Sequence, residues 1–287
     1  MNPASGQDSL RRGSSRDGTE ITARVSEEGP AVVLLPAGPG DSELSWGRVV
    51  SFMSEQCACH MLEARGRGES ADQPDHSPDW LVDDVLAHVE SLGELIGLVG
   101  WGSALWARVA AHEDARLFAV APYEPGAGEE GMRKESGERM GEVFKRVSEL
   151  VGEGRLVDAA RAFIEGSDAT DSEEDLAAGA PAQFREAAAP RLPLILRDSE
   201  QAAGSGQPGA TSPSELGRIT MPLLLLHGDR TSKWFDDSVK HVAEHVAGAA
   251  LRRIPGAAHF GPHTDPRAVA EEIGRFFTES WRAAAES

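Results

Sequence analysis

A few short stretches of the chain carry side chains able to do chemistry. His259 closes the run Ile254-Pro255-Gly256-Ala257-Ala258, and an imidazole is suited to proton transfer near neutral pH. Gly100-Trp101-Gly102-Ser103-Ala104 places small residues two positions either side of a midpoint, as a tight strand-to-helix turn displaying a nucleophile requires. That midpoint is Gly102, which has no side chain. Ser103 is the alternative nucleophile. Its flanks would be Trp101 and Leu105, both too bulky for the turn, and a one-residue shift rotates a side chain by about 100° on the entering helix. Gly38 lies in the backbone-dense loop Pro36-Ala37-Gly38-Pro39-Gly40 that follows a short apolar run.

Three carboxylates compete to orient His259: Glu124, Asp229 and Asp198. Trp101, Gly102, Pro39 and Trp234 are expected to line a substrate pocket. Asp41 either faces that pocket or caps the helix after it. His227 and His263 read as structural or solvent-facing, and Arg65 and Arg67 as residues that pin loops.

These residues need elements to position them. Apolar strands are predicted over Ala31–Leu35, Cys57–Leu62, Leu95–Val99, Leu117–Ala121, Pro222–Leu226 and Ala250–Ile254. Between them lie helical patterns at Leu44–Glu55, Trp80–Leu92, Leu105–His112 and Asp236–Val246, with a last helix from about Pro266. An edge strand around Ser9–Gly13 and the alternating Thr19–Ser26 flank the hairpin signal Asp17-Gly18. Strand–helix alternation implies an α/β fold: a mostly parallel sheet of about eight strands covered on both faces, with ligands at the carboxyl ends of the strands. From Gly126 to about Leu216 the alternation breaks into Glu-, Ala- and Gly-rich sequence. The organisation is therefore read as core (1–125), helical lid (126–216) and core again (217–287).

The ordered set Gly38-Pro39-Gly40, Arg65-Gly66-Arg67-Gly68-Glu69-Ser70, the 100–104 turn, the lid, His227-Gly228-Asp229 and Gly256-Ala257-Ala258-His259 resembles the α/β-hydrolase superfamily over about residues 16–278. It is most similar to an actinobacterial branch with Arg-Gly-Arg-Gly in its second loop and Tyr123-Glu124-Pro125 after its fourth strand. The resemblance implies His259 as general base and residue 102 as the nucleophile position. It places the acid at Thr231, which cannot ionise; some members supply it after the strand preceding the lid, where Glu124 stands as the best substitute and the expected catalytic partner of His259. The oxyanion loop departs from the family's His-Gly-Gly-Pro-Gly at Pro36 and Ala37, but the resemblance implies that Gly38 still presents one oxyanion N–H and Ser103 the second, so that an oxygen is polarised while nothing attacks covalently.

Nucleophile-free members of this superfamily act in microbial natural-product pathways as epimerases, cyclases, carbon–carbon coupling enzymes and cofactor-free oxygenases. The resemblance thus implies a non-hydrolytic enzyme acting on a bulky, partly apolar small molecule. The alternatives are a hydrolase using His-activated water and a ligand-binding pseudoenzyme.

Composition narrows the partners. A formal net charge of −19 repels nucleic acid. No apolar run approaches the ~20 residues of a membrane span, and the N-terminus carries no secretory pattern, so a cytoplasmic monomer or homodimer is expected. Cys57 and Cys59 lack a second Cys/His cluster nearby, so no metal is expected. Gly38-Pro39-Gly40 lacks dinucleotide-loop spacing, so no cofactor is expected.

Overall fold

Val32 and Leu34 point to one apolar layer and Ala31, Val33 and Leu35 to the other, all at most 3% exposed. A strand with period-two side chains that is apolar on both sides belongs in the centre of a sheet covered twice. The computed structural model, which describes residues 9–26, 29–112, 116–128, 130–168, 182–204 and 210–286, places it there.

The strands are β1 (Ser9–Ser14), β2 (Glu20–Val25), β3 (Ala31–Leu34), β4 (Ala58–Leu62), β5 (Ile96–Trp101), β6 (Leu117–Tyr123), β7 (Leu224–Gly228) and β8 (Ala250–Ile254). Among the described residues they form one eight-stranded sheet in the order β1-β2-β4-β3-β5-β6-β7-β8. β1 and β2 pair antiparallel, and all pairs from β3 to β8 are parallel. α1 (Ser42–Met53) buries Trp46, Val49 and Met53 against one face. The other face takes α2 (Pro78–Leu92) and α3 (Leu105–Ala110).

Between β6 and β7 the chain runs through α4 (Glu130–Gly152), α5 (Leu156–Asp168), α6 (Ala182–Ala188), α7 (Leu192–Gly204) and the short α8 (Pro213–Leu216). α9 (Lys233–His245) follows β7, and α10 (Gly261–Thr264) and α11 (Pro266–Ala285) follow β8. No described helix is long and apolar enough to cross a membrane.

β5 and β6 each run two residues beyond the predicted apolar stretches. The ladder Gly100↔Pro122 and Trp101↔Tyr123 continues the pairing past where hydropathy alone would stop it. That extension carries Gly102 and Glu124 together to the carboxyl edge of the sheet. On α2, Asp84 is 2% exposed, because Arg65, wholly buried, grips it through Nε (2.7 Å) and Nη2 (2.6 Å).

One buried pair makes a stability prediction. His60 on β4 and His88 on α2 face each other, Nδ1 to Nε2, at 3.1 Å. Burial pushes His60 down to about 4 and His88 to about 3, with nearby positive charge on Arg11 adding to both. The folded values lie below the ordinary 6.5, so the unfolded chain binds protons first as pH falls. This stability is complete above about pH 6.5 and is lost as pH drops toward the folded values; the loss per histidine is of the order of 3 kcal/mol. His88→Leu should therefore flatten the fall of Tm between neutral pH and pH 4.5 in thermal melts followed by circular dichroism. An acid slope equal to that of the wild type would show that the pair does not titrate on unfolding.

Candidate active site

The site forms where three strand ends converge. Gly102 ends the β5 turn at φ 68°, a left-handed conformation open to glycine without penalty. The Ser103 N–H donates to the Trp101 carbonyl at 2.8 Å, closing a γ-turn around it. A methyl group at position 102 would lie 3.1 Å from His259 Cε1 and 3.3 Å from Nε2. The side chain this turn would display is thus aimed at the imidazole, and only its atoms are missing.

His259 is fixed from four directions. Its Nδ1 faces Glu124 Oε2 at 3.0 Å. Phe235 stacks flat on the ring, with centroids 4.1 Å apart and planes 8° from parallel. The indole N–H of Trp101 donates to the His259 carbonyl (3.0 Å), and the Tyr123 hydroxyl donates to that of Ala258 (2.6 Å). Glu124 is fully buried and is itself held twice: its N–H donates to Leu226 O (2.8 Å), and its Oε1 accepts from Gly228 N–H (3.0 Å). It has φ 42°, the one non-glycine residue with positive φ among those described. Strain of this kind persists where surrounding bonds over-determine the backbone.

The remaining acids are engaged elsewhere. Asp229 Oδ1 accepts from Gly256 N–H at 2.7 Å, tying two loops together. Asp198 on α7 pairs with Arg67 (2.6 Å) and His76 Nδ1 (2.6 Å). Burial opposes its charge, but the His76 hydrogen bond and the Arg67 guanidinium outweigh it and hold the carboxyl below its ordinary range. Neither acid meets His259. Thr231, at the family's usual acid position, leaves its buried Oγ1 without a partner.

A cavity of about 280 Å³ opens beside His259. Pro39, Trp101, Gly102, Ser103 and Trp234 all line it, as does Gly38. Asp41 does not, against the expectation that it faces the pocket: it caps α1 by accepting from Leu44 N–H (2.7 Å) and forms an ion pair with Arg191. A carboxylate beside a free helix N-terminus is better satisfied there than in an apolar pocket. Ser103 lines the cavity, but its N–H is spent on Trp101, so the expected oxyanion donor is engaged. The oxyanion loop itself is well pinned. Trp46 Nε1 donates to Leu35 O (2.7 Å), Ala37 N–H to Ser45 Oγ (3.0 Å), and Arg67 Nη2 reaches Gly38 O (3.4 Å).

His263, 7% exposed, stands behind Trp101 and Phe184, and burial pushes it down to about 4. His227 is also buried, and burial lowers it. Both are core residues, not solvent-facing. Sequence reading missed Phe235 and the roof residues Phe163 and Phe184 from the helical segment between β6 and β7. Phe235 follows Trp234 directly, and a pair of aromatics at a helix start after a site-bearing strand is the one local signal it left.

The family model described as "Alpha/beta hydrolase family" matches residues 32–272. No curated protein matches the chain significantly. Among solved structures, an alpha/beta hydrolase from Sphaerobacter thermophilus is 21% identical, with a TM-score of 0.72 over 93% of this chain and 100% of that one. An esterase from Thermogutta terrifontis is 18% identical (TM-score 0.71, 95% and 99%). A haloalkane dehalogenase loop variant from Bradyrhizobium elkanii is 21% identical (TM-score 0.66, 97% and 99%). These likenesses show a shared fold. With the family model spanning β3 to β8 and the start of the last helix, the chain belongs to the alpha/beta hydrolase family.

Proposed function

We propose that the protein is a non-hydrolytic enzyme that moves a proton on a bulky small molecule through His259, without a covalent step. One observation carries this reading. The elbow keeps its shape and aims position 102 at His259, yet Gly102 supplies no atom there, while the imidazole retains a buried carboxylate on Nδ1.

His259 Nε2 takes a proton from carbon or oxygen of the substrate seated in the space above Gly102. Negative charge develops on the adjacent substrate oxygen. The Gly38 N–H stabilises it, joined by the Ser103 N–H once that donor exchanges Trp101 O for the substrate. Glu124 stabilises the imidazolium and fixes which nitrogen is basic. The imidazolium then returns its proton at the same or another position, which is the chemistry of epimerisation or cyclisation. The 126–216 segment acts as the lid: Met140, Phe163 and Phe184 roof the cavity and exclude water. A role in natural-product biosynthesis fits a site of this kind. Water in the space beside Nε2 gives the second reading, an atypical hydrolase.

The test uses 2-tetralone, a bulky ketone with acidic α-hydrogens, and p-nitrophenyl acetate. The wild type should exchange the ketone's α-hydrogens for deuterium in D₂O, with the rate falling about 10²–10⁴-fold in His259→Ala. It should leave the ester at background. Ester turnover at the rate of a true hydrolase would sink the proposal in favour of the second reading; exchange that survives His259→Ala would remove His259 from the mechanism.

A further inference from the structure

A second cavity, of about 370 Å³, adjoins the one at His259. The two share walls at Ala37, Gly38, Ser103 and Phe163, so they meet around the oxyanion loop and the residue after Gly102. The second lies between α2, α3 and the helical segment, and its walls include Leu35, Leu81, Val85, Leu105, Phe144 and Ile195. Four charged residues also line it: Arg67 and Asp198 pair with each other, Asp84 is held by Arg65, and Arg108 stands on the α3 side.

We propose that this cavity holds an extended apolar arm, alkyl or aryl-alkyl, of the same substrate whose reacting head lies at His259. The inference rests on the reading of His259 as the site of chemistry and adds what kind of molecule it serves. Three observations support it. The two spaces adjoin at Gly38 and Ser103, next to the reacting position. The second is larger than the first and lined mainly by apolar side chains. Helices α2, α3, α4, α5 and α7 all contribute to its walls, so its shape is fixed by packing in the fold and not by one loop. A pocket of this size falls in the range of small-molecule sites and is apolar enough to bind by burial alone. The substrate is thus a molecule with a polar, acidifiable head and a long apolar arm that leaves the head past Gly38 and Ser103.

Straight-chain methyl ketones from acetone to 2-undecanone test this by calorimetry on the intact protein. Affinity should climb by up to roughly fourfold per methylene (about 0.8 kcal/mol) and then level off where the arm fills the space. Leu81→Trp on α2 and Ser199→Trp on α7 each fill part of this space from a different element; both residues line this cavity and not the one at His259. Each should make the climb level off at a shorter chain while leaving acetone binding unchanged. A flat series in the wild type, or a wild-type plateau in both variants, overturns the proposal. His259→Ala should keep the climb, because the arm does not touch the imidazole. A climb in a wild type that exchanges no α-hydrogens therefore counts against the proton-transfer reading alone.

Discussion

Gly102→Ser should turn this protein into an ester hydrolase. The new Cβ would lie 3.3 Å from His259 Nε2, which puts a serine hydroxyl within hydrogen-bonding reach of a base already held by Glu124. Removing a serine nucleophile from a working triad costs about 10⁶ in rate, and losing one oxyanion donor costs about 10²–10³. The Ser103 N–H begins engaged with Trp101 O, so the gain should stop at roughly 10³–10⁴ over the wild type on p-nitrophenyl acetate. A burst of p-nitrophenol equal to the enzyme concentration should accompany it, marking an acyl-enzyme.

The substitution carries a cost. A serine at φ 68° is strained by about 1–2 kcal/mol, and the contact with the imidazole requires small shifts that the stacked Phe235 resists. Tm should fall by several degrees, while Gly102→Ala, with the same strain and no hydroxyl, should lose the same stability and gain no activity. A Gly102→Ser protein that folds but shows neither burst nor turnover would mean that position 102 is not aimed at a competent base.

Glu124→Gln should lower every His259-dependent rate by about 10²–10⁴. The amide can keep the bond from Gly228 N–H but cannot stabilise an imidazolium, and it leaves the tautomer of His259 unfixed. The loss should appear both in α-hydrogen exchange by the wild-type background and in ester turnover by Gly102→Ser. Asp229→Asn and Asp198→Asn should leave both rates within a few-fold, because those carboxylates serve Gly256 and the Arg67–His76 cluster. Parity between Glu124→Gln and its parent, or a large loss in Asp198→Asn, would reassign the orienting group. Asp198→Asn is expected instead to loosen α7 from the loop holding His76 and to lower Tm.

The assignments differ in how far they could be read along the chain. The elbow was legible because its constraint is local: two small flanks, an apolar strand before and a helix after, all within a few residues. So were His259 and the alternation that gives the sheet. Glu124 could be preferred from the resemblance, but no local pattern set it apart, since Asp229 in a loop and Asp198 in the lid carry the same carboxyl group. Asp41 could be read in two ways because an N-cap and a pocket carboxylate look alike in one dimension.

By itself the sequence determined a doubly covered, mostly parallel sheet, a nucleophile turn with glycine at its midpoint and a histidine to face it. Period-two apolar runs and small residues at tight turns are demands of neighbouring backbone, written within a few positions. Only the tertiary structure decided which acid meets His259, because that contact joins residues 135 positions apart and depends on β6 running on to Tyr123. It also decided that Asp41 caps α1, that Asp198 is held by Arg67 across 131 positions, and that an apolar cavity adjoins the catalytic one. Those outcomes follow from which distant surfaces pack together, and no local pattern of residues carries that information.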